Sequence, residues 1–229
     1  MSDGPIKLKE FLTAAGAEDW RVTAEGAVAF YRTESLAMSA NFVAALADVA
    51  GLADHQFGID IRQEGVTVRV VTLREDYMGM TQRDLELARA IQSLARGMGL
   101  TADPSVLQSI LIVPGAPSRP EVMPFWRAAL GYVPRPDSPE EDLVDPHDRG
   151  VPFWFEEMEQ PRADGGGAIH LAVWLPLEQA QARVDAALAA GGRLVRDEFA
   201  PSWWTLADAY GNEIDISTVA YRDELPPEA

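Results

Sequence analysis

The stretch "GGGAIHLAVWLP" at 165–176 places a histidine, His170, inside a run of apolar residues. The chain contains three histidines and no cysteine, so any bound metal ion would depend on imidazole, carboxylate or amide ligands. A histidine in a strand is either a hydrogen-bonded core residue or a functional group that the strand positions. The elements that pair with this strand therefore determine which chemistry His170 can take part in.

A repeat in the second half of the chain supplies candidate partners for His170. "LQSILIVPG" and "AIHLAVWLP" are both predicted strands, and each is followed by a helix and three further strands, so two βαβββ units succeed one another. In this alignment Gln108 matches His170 and Glu156 matches Asp215. Units packed about a pseudo-twofold axis would bring their first and last strands together, which predicts a divalent metal site (Mn, Fe, Ni, Co or Zn) on these four residues. Glu157 is the alternative to Glu156, because strand alternation turns one inward and the other outward.

The segment "LADAYGNEIDIST" at 206–218 resembles the closing turn and last strand of the vicinal oxygen chelate superfamily, the glyoxalase and bleomycin-resistance fold. The resemblance covers 108–218 and implies paired βαβββ units, with metal ligands from the first and last strand of each unit. It implies that the ion acts as a Lewis acid on two neighbouring substrate oxygens, with Glu156 or Asp215 as the catalytic base. Isomerisation, dioxygenation and thiol addition all fit this scheme. Other members of the superfamily bind a hydrophobic ligand without metal.

Aromatic residues accumulate in the same half of the chain and favour a substrate pocket there. The candidates for substrate contacts are Trp174, Trp203, Trp204 and Tyr210, although large aromatic side chains more often belong to a core. Adjacent strand residues point to opposite faces of a sheet, so one of Trp203 and Trp204 is expected to line the pocket.

The first hundred residues predict a different unit. Two hairpins, in "DWRVTAEGAVAFYRTE" and in "GIDIRQEGVTVRVVTL" around Gly65, alternate with two amphipathic helices. The second of these helices has Thr81 as its N-cap and Asp84 in its first turn. The pattern predicts an antiparallel sheet with helices on one side, and together with the paired βαβββ units it makes the chain an α+β protein.

The segments "ADVAGLADHQFGIDI" and "GMTQRDLELARAIQSLA" resemble pterin-4a-carbinolamine dehydratase, and the likeness covers 18–100. In that family an "HHP" turn supplies active-site histidines that dehydrate a hydroxylated pterin by acid–base catalysis. The resemblance makes His55 a candidate catalytic residue and Gln56 a candidate substrate contact, since an amide hydrogen-bonds but does not transfer protons at neutral pH. "TLREDYMG" lacks the family's further histidine, so a binding or oligomerisation module is the favoured expectation. The simplest alternative is that His55 only caps a turn.

Composition and charge exclude several classes of function. A net charge of −17 opposes contact with nucleic-acid phosphates, no apolar run approaches the roughly 20 residues that span a bilayer, and the start lacks a signal peptide's apolar core. Because Pro104 stops the preceding helix, we expect domains at 1–103 and 104–229. The sequence thus predicts a cytoplasmic protein with a small-molecule substrate, no nucleic-acid or membrane partner, and scope for a homo-oligomer.

Three functions remain from the sequence. The favoured one is a small-molecule enzyme of the glyoxalase or dioxygenase type, acting as a lyase, isomerase or dioxygenase with a divalent metal ion between the two βαβββ units. The first alternative is 4a-hydroxytetrahydrobiopterin dehydratase activity in the first domain through His55. The second is a metal-free protein that binds and sequesters a small molecule.

Overall fold

The computed structural model describes residues 4–116, 118–157, 169–207 and 213–222. The chain divides into two compact units. The first comprises the described residues up to Leu73, Tyr77–Leu107 and the described residues from Val219. The second comprises Arg74–Asp76 and Gln108–Thr218. None of the described helices is both long enough and apolar enough to cross a membrane.

The predicted order of hairpin, helix, hairpin and helix in the first part of the chain is confirmed. The elements are α1 Leu8–Leu12, β1 Arg21–Thr23, β2 Gly26–Arg32, α2 Leu36–Leu46, β3 Phe57–Arg62, β4 Gly65–Val70, β5 Thr72–Arg74, β6 Tyr77–Gly79, α3 Gln82–Gly97 and β7 Thr101–Ala102. Strands β1, β2, β4 and β3 form an antiparallel sheet in that order, and β7 pairs with β2. The short β5–β6 hairpin was not expected from the sequence.

Strand alternation explains how this sheet packs against its helices. Val66, Val68 and Val70 lie two residues apart on β4 and are all fully buried, because alternate residues of a strand share one face. They belong to the same apolar core as Phe42 of α2 and Ile91 of α3. Burial of this face therefore fixes both helices on one side of the sheet.

The second unit has the predicted pair of βαβββ halves. The first half contains β8 Ser109–Ala116, α4 Arg119–Leu130, β9 Val133–Pro134, β10 Asp142–Val144, β11 Phe153–Trp154 and β12 Glu156–Glu157. The second half contains β13 Ile169–Trp174, α5 Leu177–Ala189, β14 Arg193–Arg196, β15 Trp203–Ala207 and β16 Glu213–Ser217. The predicted last strand of the first half is thus divided into β11 and β12.

Within the described residues these strands form one sheet in the order β14-β15-β16-β13-β8-β11-β10-β9, with β12 also paired to β8. The first strands of the two halves, β8 and β13, are antiparallel neighbours at its centre, and Leu111 pairs with Ala172 in the middle of their ladder. Outside them, β16 runs parallel to β13, and β11 and β12 run parallel to β8. The first and last strands of both halves therefore occupy the middle of the sheet.

The helices of this unit pack on one face of the sheet. Val184 of α5 belongs to an apolar core with Val173, Leu206 and Ile216, and Met123 of α4 belongs to a second core that includes Phe153. The residues that alternate with these strand residues lie on the opposite face, which we call the polar face. The polar face includes Ser109, Ala172, Trp174, Trp203, Thr205, Ala207, Glu213, Asp215 and Ser217.

Candidate functional site

The strand that carries His170 lies beside the last strand of its own half. Leu171 pairs with Ile214 in the parallel ladder of β13 and β16, so the preceding residues, His170 and Glu213, lie side by side. Asp215 follows two residues after Glu213 and returns to the same face of the sheet. With strands about 4.8 Å apart and alternate residues about 6.7 Å apart, the Cα atoms of His170 and Asp215 are about 8 Å apart. For His170 the structure describes the backbone position and not the side chain.

A hydrogen bond across two strands orients the carboxylate of Asp215. Thr205 of β15 is the direct pairing partner of Asp215, and its Oγ1 donates to Asp215 Oδ1 at 2.6 Å. Thr205 is buried, so its hydroxyl is held in place by the surrounding sheet. A carboxylate positioned by a second side chain in this way is prearranged for a ligand or a proton.

The structure does not bring Gln108 to His170. Gln108 precedes Ser109 in the chain, and its Oε1 accepts a hydrogen bond from Arg183 of α5, at 3.5 Å, on the helix side of the sheet. Ser109 is the residue that faces the polar side. The sequence alignment of the two first strands is one residue out of register, and such a slip moves a side chain to the other face. Gln108 therefore does not lie beside His170 and Asp215 among the described residues, and its role as a metal ligand stays a prediction.

Glu156 lies farther along the sheet than the other predicted ligands. It pairs with Gly115 of β8, whereas Asp215 is level with Leu111 through Ala172. Those levels are four residues apart, about 13 Å along the strands, so Glu156 is not brought to Asp215. From the level of His170, which pairs with Val113, Glu156 is about 7 Å along the strands and two strands away. Its alternative, Glu157, is largely exposed, and its Oε1 lies 3.6 Å from Arg119 Nε.

Among the side chains that the structure describes, no group of three or more His, Asp or Glu residues could hold a metal ion. The side chain of His170 lies outside that description. Two of the four predicted ligands, His170 and Asp215, thus occupy neighbouring positions on one face.

Two predicted aromatic contacts share the polar face. Trp203, Ser217 and Trp174 pair in one row across β15, β16 and β13, so the two indoles stand on either side of a small residue. Phe199 stacks on Trp203 with ring centroids 4.3 Å apart. Ser109 continues the row on β8, and its buried Oγ has no hydrogen-bond partner among the described residues. A row of aromatic rings and small hydroxyls suits a planar organic molecule with a polar substituent.

The other two aromatic candidates are not on this surface. Trp204 belongs to the apolar core between the sheet and α5, because alternation assigns the other side of the strand to Trp203. A substrate contact by Trp204 stays a prediction. Tyr210 lies outside the described residues.

A buried carboxylate in the first half of this unit was missed by the sequence analysis. Asp142 of β10 pairs with Trp154 and is almost fully buried. Its Oδ2 lies 3.0 Å from Arg135 Nη2. Burial raises the pKa of Asp142 to about 6, although the charge of Arg135 opposes this shift. "PRPDSPEEDLV" resembles a polar loop in sequence, so only the pairing of β10 reveals the burial.

The first unit has one buried histidine–carboxylate pair. His55 Nε2 donates to Asp84 Oδ1 at 2.7 Å, and the two side chains are 7% and 0% exposed. Asp84 Oδ2 also accepts from Thr81 N at 2.7 Å, Thr81 Oγ1 at 2.6 Å and Thr72 Oγ1 at 2.7 Å. Burial acts to raise the pKa of Asp84, but the hydrogen bonds from His55, Thr81 and Thr72 outweigh it and lower the pKa. The carboxylate therefore fixes the orientation of the imidazole.

The loop that carries His55 is tied to the start of α3. Arg83 donates to the backbone carbonyls of Gly51, at 2.9 Å, and Asp54, at 3.2 Å. Gln56 is exposed, next to the half-buried His55. The sequence marks Asp84 as part of a helix cap, but no local spacing connects it with a histidine 29 residues earlier.

Comparison with known families confirms both resemblances. Residues 112–217 match the family model described as a glyoxalase-like domain. Residues 5–94 match the model described as pterin 4 alpha carbinolamine dehydratase. Among curated proteins, none matches the chain.

Solved structures resemble part of the chain at low identity. One is an NAD-dependent benzaldehyde dehydrogenase from Legionella pneumophila, with 12% identity and a TM-score of 0.36 over 48% of this chain and 97% of that one. Another is a glyoxalase/bleomycin resistance protein/dioxygenase superfamily member from Vibrio splendidus 12B01. It has 13% identity and a TM-score of 0.34 over 49% of this chain and 99% of that one.

Proposed function

We propose that this chain, with its glyoxalase-like domain at 112–217 and its pterin-4a-carbinolamine dehydratase domain at 5–94, is an enzyme of the vicinal oxygen chelate type that acts on a small molecule at the polar face, with a divalent metal ion. The observation that carries the proposal is the placement of His170 and Asp215 on neighbouring strands, on one face and two residues out of step. Imidazole and carboxylate are ligands that Mn, Fe, Co, Ni and Zn accept.

The residues at this position fit a metal ion in their chemistry and spacing. A Cα separation of about 8 Å is within the combined reach of a histidine and an aspartate side chain on one ion. Thr205 holds the Asp215 carboxylate from the side, which is the kind of support that metal-binding carboxylates receive. A bound divalent ion would supply Lewis-acid stabilisation of negative charge on two neighbouring oxygens of a substrate.

The chain's own side chains account for substrate binding and proton transfer. Trp174 and Trp203 flank Ser217 on the polar face and would contact the flat faces of an organic substrate. The buried hydroxyl of Ser109 would donate a hydrogen bond to a polar substituent. Asp215 is the carboxylate on this face that Thr205 orients, so it would accept the substrate proton.

Metal titration of the full-length chain tests this proposal. We expect chelator-treated protein to bind about one Zn²⁺, Mn²⁺ or Co²⁺ per chain in calorimetry, and His170→Ala or Asp215→Ala to weaken binding at least about tenfold. Gln108→Ala is the matched control and should bind like the wild type, because Gln108 contacts Arg183 on the helix side. A wild-type chain that binds none of these ions would contradict the proposal. Tryptophan quenching by small aromatic compounds in such a chain would favour the metal-free binding protein.

The first unit supports a second candidate function, pterin-4a-carbinolamine dehydration. The supporting observation is the His55–Asp84 hydrogen bond of 2.7 Å, which orients an imidazole for acid–base catalysis, with the exposed Gln56 beside it as a substrate contact. The test is turnover of a 4a-hydroxytetrahydropterin by the full-length chain. His55→Ala should abolish turnover while Gln108→Ala retains it, and a wild-type rate equal to the uncatalysed rate would exclude this activity.

A further inference from the structure

We infer that Glu213 is the third protein ligand of the proposed metal ion, so that the second βαβββ half alone supplies the ligand set, as His170, Glu213 and Asp215. The inference rests on the proposed function, because it concerns the same ion. Neither the repeat nor the predicted set of four ligands pointed to Glu213.

The pairing register carries this inference. Glu213 and His170 lie side by side on β16 and β13, because the residues that follow them, Ile214 and Leu171, are paired. The Cα atoms of these two residues are about 5 Å apart, and Asp215 is about 7 Å from Glu213 along the same strand. A Glu-x-Asp step on one strand face next to a histidine on the neighbouring strand gives a compact triangle. Three donors in such a triangle hold one side of an ion and leave its other side for water or substrate.

The direct pairing partners of the two carboxylates include small residues. Ala207 pairs with Glu213 on the β15 side, and Ala172 pairs with Asp215 on the β13 side. These alanines bring no side chain beyond Cβ, so neither rises between the ligands. Two carboxylates on one strand face also repel each other, and a divalent cation between them removes that repulsion.

The first half of the unit cannot provide the missing ligand in the way the repeat suggested. Gln108 contacts Arg183 on the helix side, and Glu156 lies about 13 Å along the strands from the level of Asp215. Glu213 is a carboxylate that lies beside His170, half-buried on the polar face. The ion would therefore be displaced from the junction of the two halves towards β16.

Calorimetric titration with Zn²⁺ and Mn²⁺ of three full-length proteins tests the inference. Glu213→Gln keeps the size of the side chain, and we expect it to weaken metal binding at least about tenfold. Glu156→Gln removes the same charge from the same sheet and should stay within about twofold of the wild type. Glu156 lies about 13 Å along the strands from the level of Asp215, which exceeds the Debye length of about 8–10 Å. Circular dichroism of each metal-free variant checks that its fold is retained, and Glu213→Asp provides a second carboxylate variant that should recover part of the affinity.

The outcomes separate the inference from the proposed function. Wild-type affinity in Glu213→Gln, together with loss of binding in Asp215→Ala, would overturn the role of Glu213 and leave the metal site in place. Equal weakening in Glu213→Gln and Glu156→Gln would also overturn it, because the effect would then be one of overall charge. A wild-type chain that binds no metal would contradict both the role of Glu213 and the proposed function.

Discussion

The buried carboxylate of Asp84 determines how strongly the His55 loop is held to α3. Asp84→Ala removes the acceptor of hydrogen bonds from His55, Thr72 and Thr81. Removing one partner of a buried charged pair costs about 3–5 kcal/mol of stability, and that range includes the loss of the helix cap, about 1 kcal/mol. His55→Ala leaves three of the four hydrogen bonds to the carboxylate, so we expect a smaller loss of about 1–3 kcal/mol.

Urea unfolding of the full-length chain, followed by far-UV circular dichroism, measures these losses. Hydrogen exchange of the peptide that covers Gln82–Gly97 assigns them to α3. Asp60→Ala is the control, because Asp60 is exposed and its carboxylate pairs with Arg62 on the surface of the same strand. Surface substitutions of this kind change stability by no more than about 0.5 kcal/mol.

The stabilisation that Asp84 provides should depend on pH in a defined direction. The pKa of Asp84 is lowered in the folded chain, so its stabilisation is present above the unfolded pKa of about 3.9 and is lost as the pH falls through the folded pKa. Asp84→Ala should therefore differ most from the wild type at neutral pH, and the difference should shrink in acid. If the free energy of unfolding of Asp84→Ala at pH 7 were within about 0.5 kcal/mol of the wild-type value, the hydrogen bonds assigned to Asp84 would be contradicted.

Three further predictions concern the second unit. Because the pKa of Asp142 is raised to about 6, ionisation opposes folding. Wild-type stability should fall as the pH rises from 4 to 7, by up to about 3 kcal/mol at 1.36 kcal/mol per pKa unit, and Asp142→Asn should flatten this slope in urea unfolding. Trp204→Ala should cost about 3–5 kcal/mol of stability, because Trp204 is a core residue. Trp203→Ala should mainly weaken the fluorescence quenching by aromatic ligands. Equal destabilisation by the two substitutions would contradict the sheet faces assigned to these residues. Thr205→Val should lower metal affinity about tenfold in calorimetry while the melting temperature of the metal-free chain changes little, and unchanged affinity would remove its positioning role.

The fold was predictable because its signals are local. Alternation in "GVTVRV" identifies β4, and Thr81 with Asp84 marks the start of α3 through a capping box. The tandem βαβββ order follows from strand and helix periods that a single sequence displays. The break between β11 and β12 was not predictable, because neither glycine nor proline interrupts "FWFEEM".

The site was predictable only in part, because strand register is not a local property. The repeat predicts metal ligands at Asp215 and His170, whose backbone positions are neighbours on one face of the sheet. It does not predict that Gln108 lies on the helix side, because its alignment of the first strands is one residue out of register. The neighbour of His170 on β16 is Glu213, and this follows from pairing between segments far apart in the chain. The His55–Asp84 contact was not predicted for the same reason, since it joins residues 29 positions apart in the chain.

X-ray absorption spectroscopy of the Zn²⁺-loaded full-length chain can determine whether His170 and carboxylates of β16 hold a metal ion on the polar face. We expect a first shell of nitrogen and oxygen at about 2.0–2.1 Å with the outer-shell scattering of one imidazole, and loss of that imidazole signal in His170→Ala. An imidazole signal that persists in His170→Ala, or a wild-type shell without any imidazole, would contradict it.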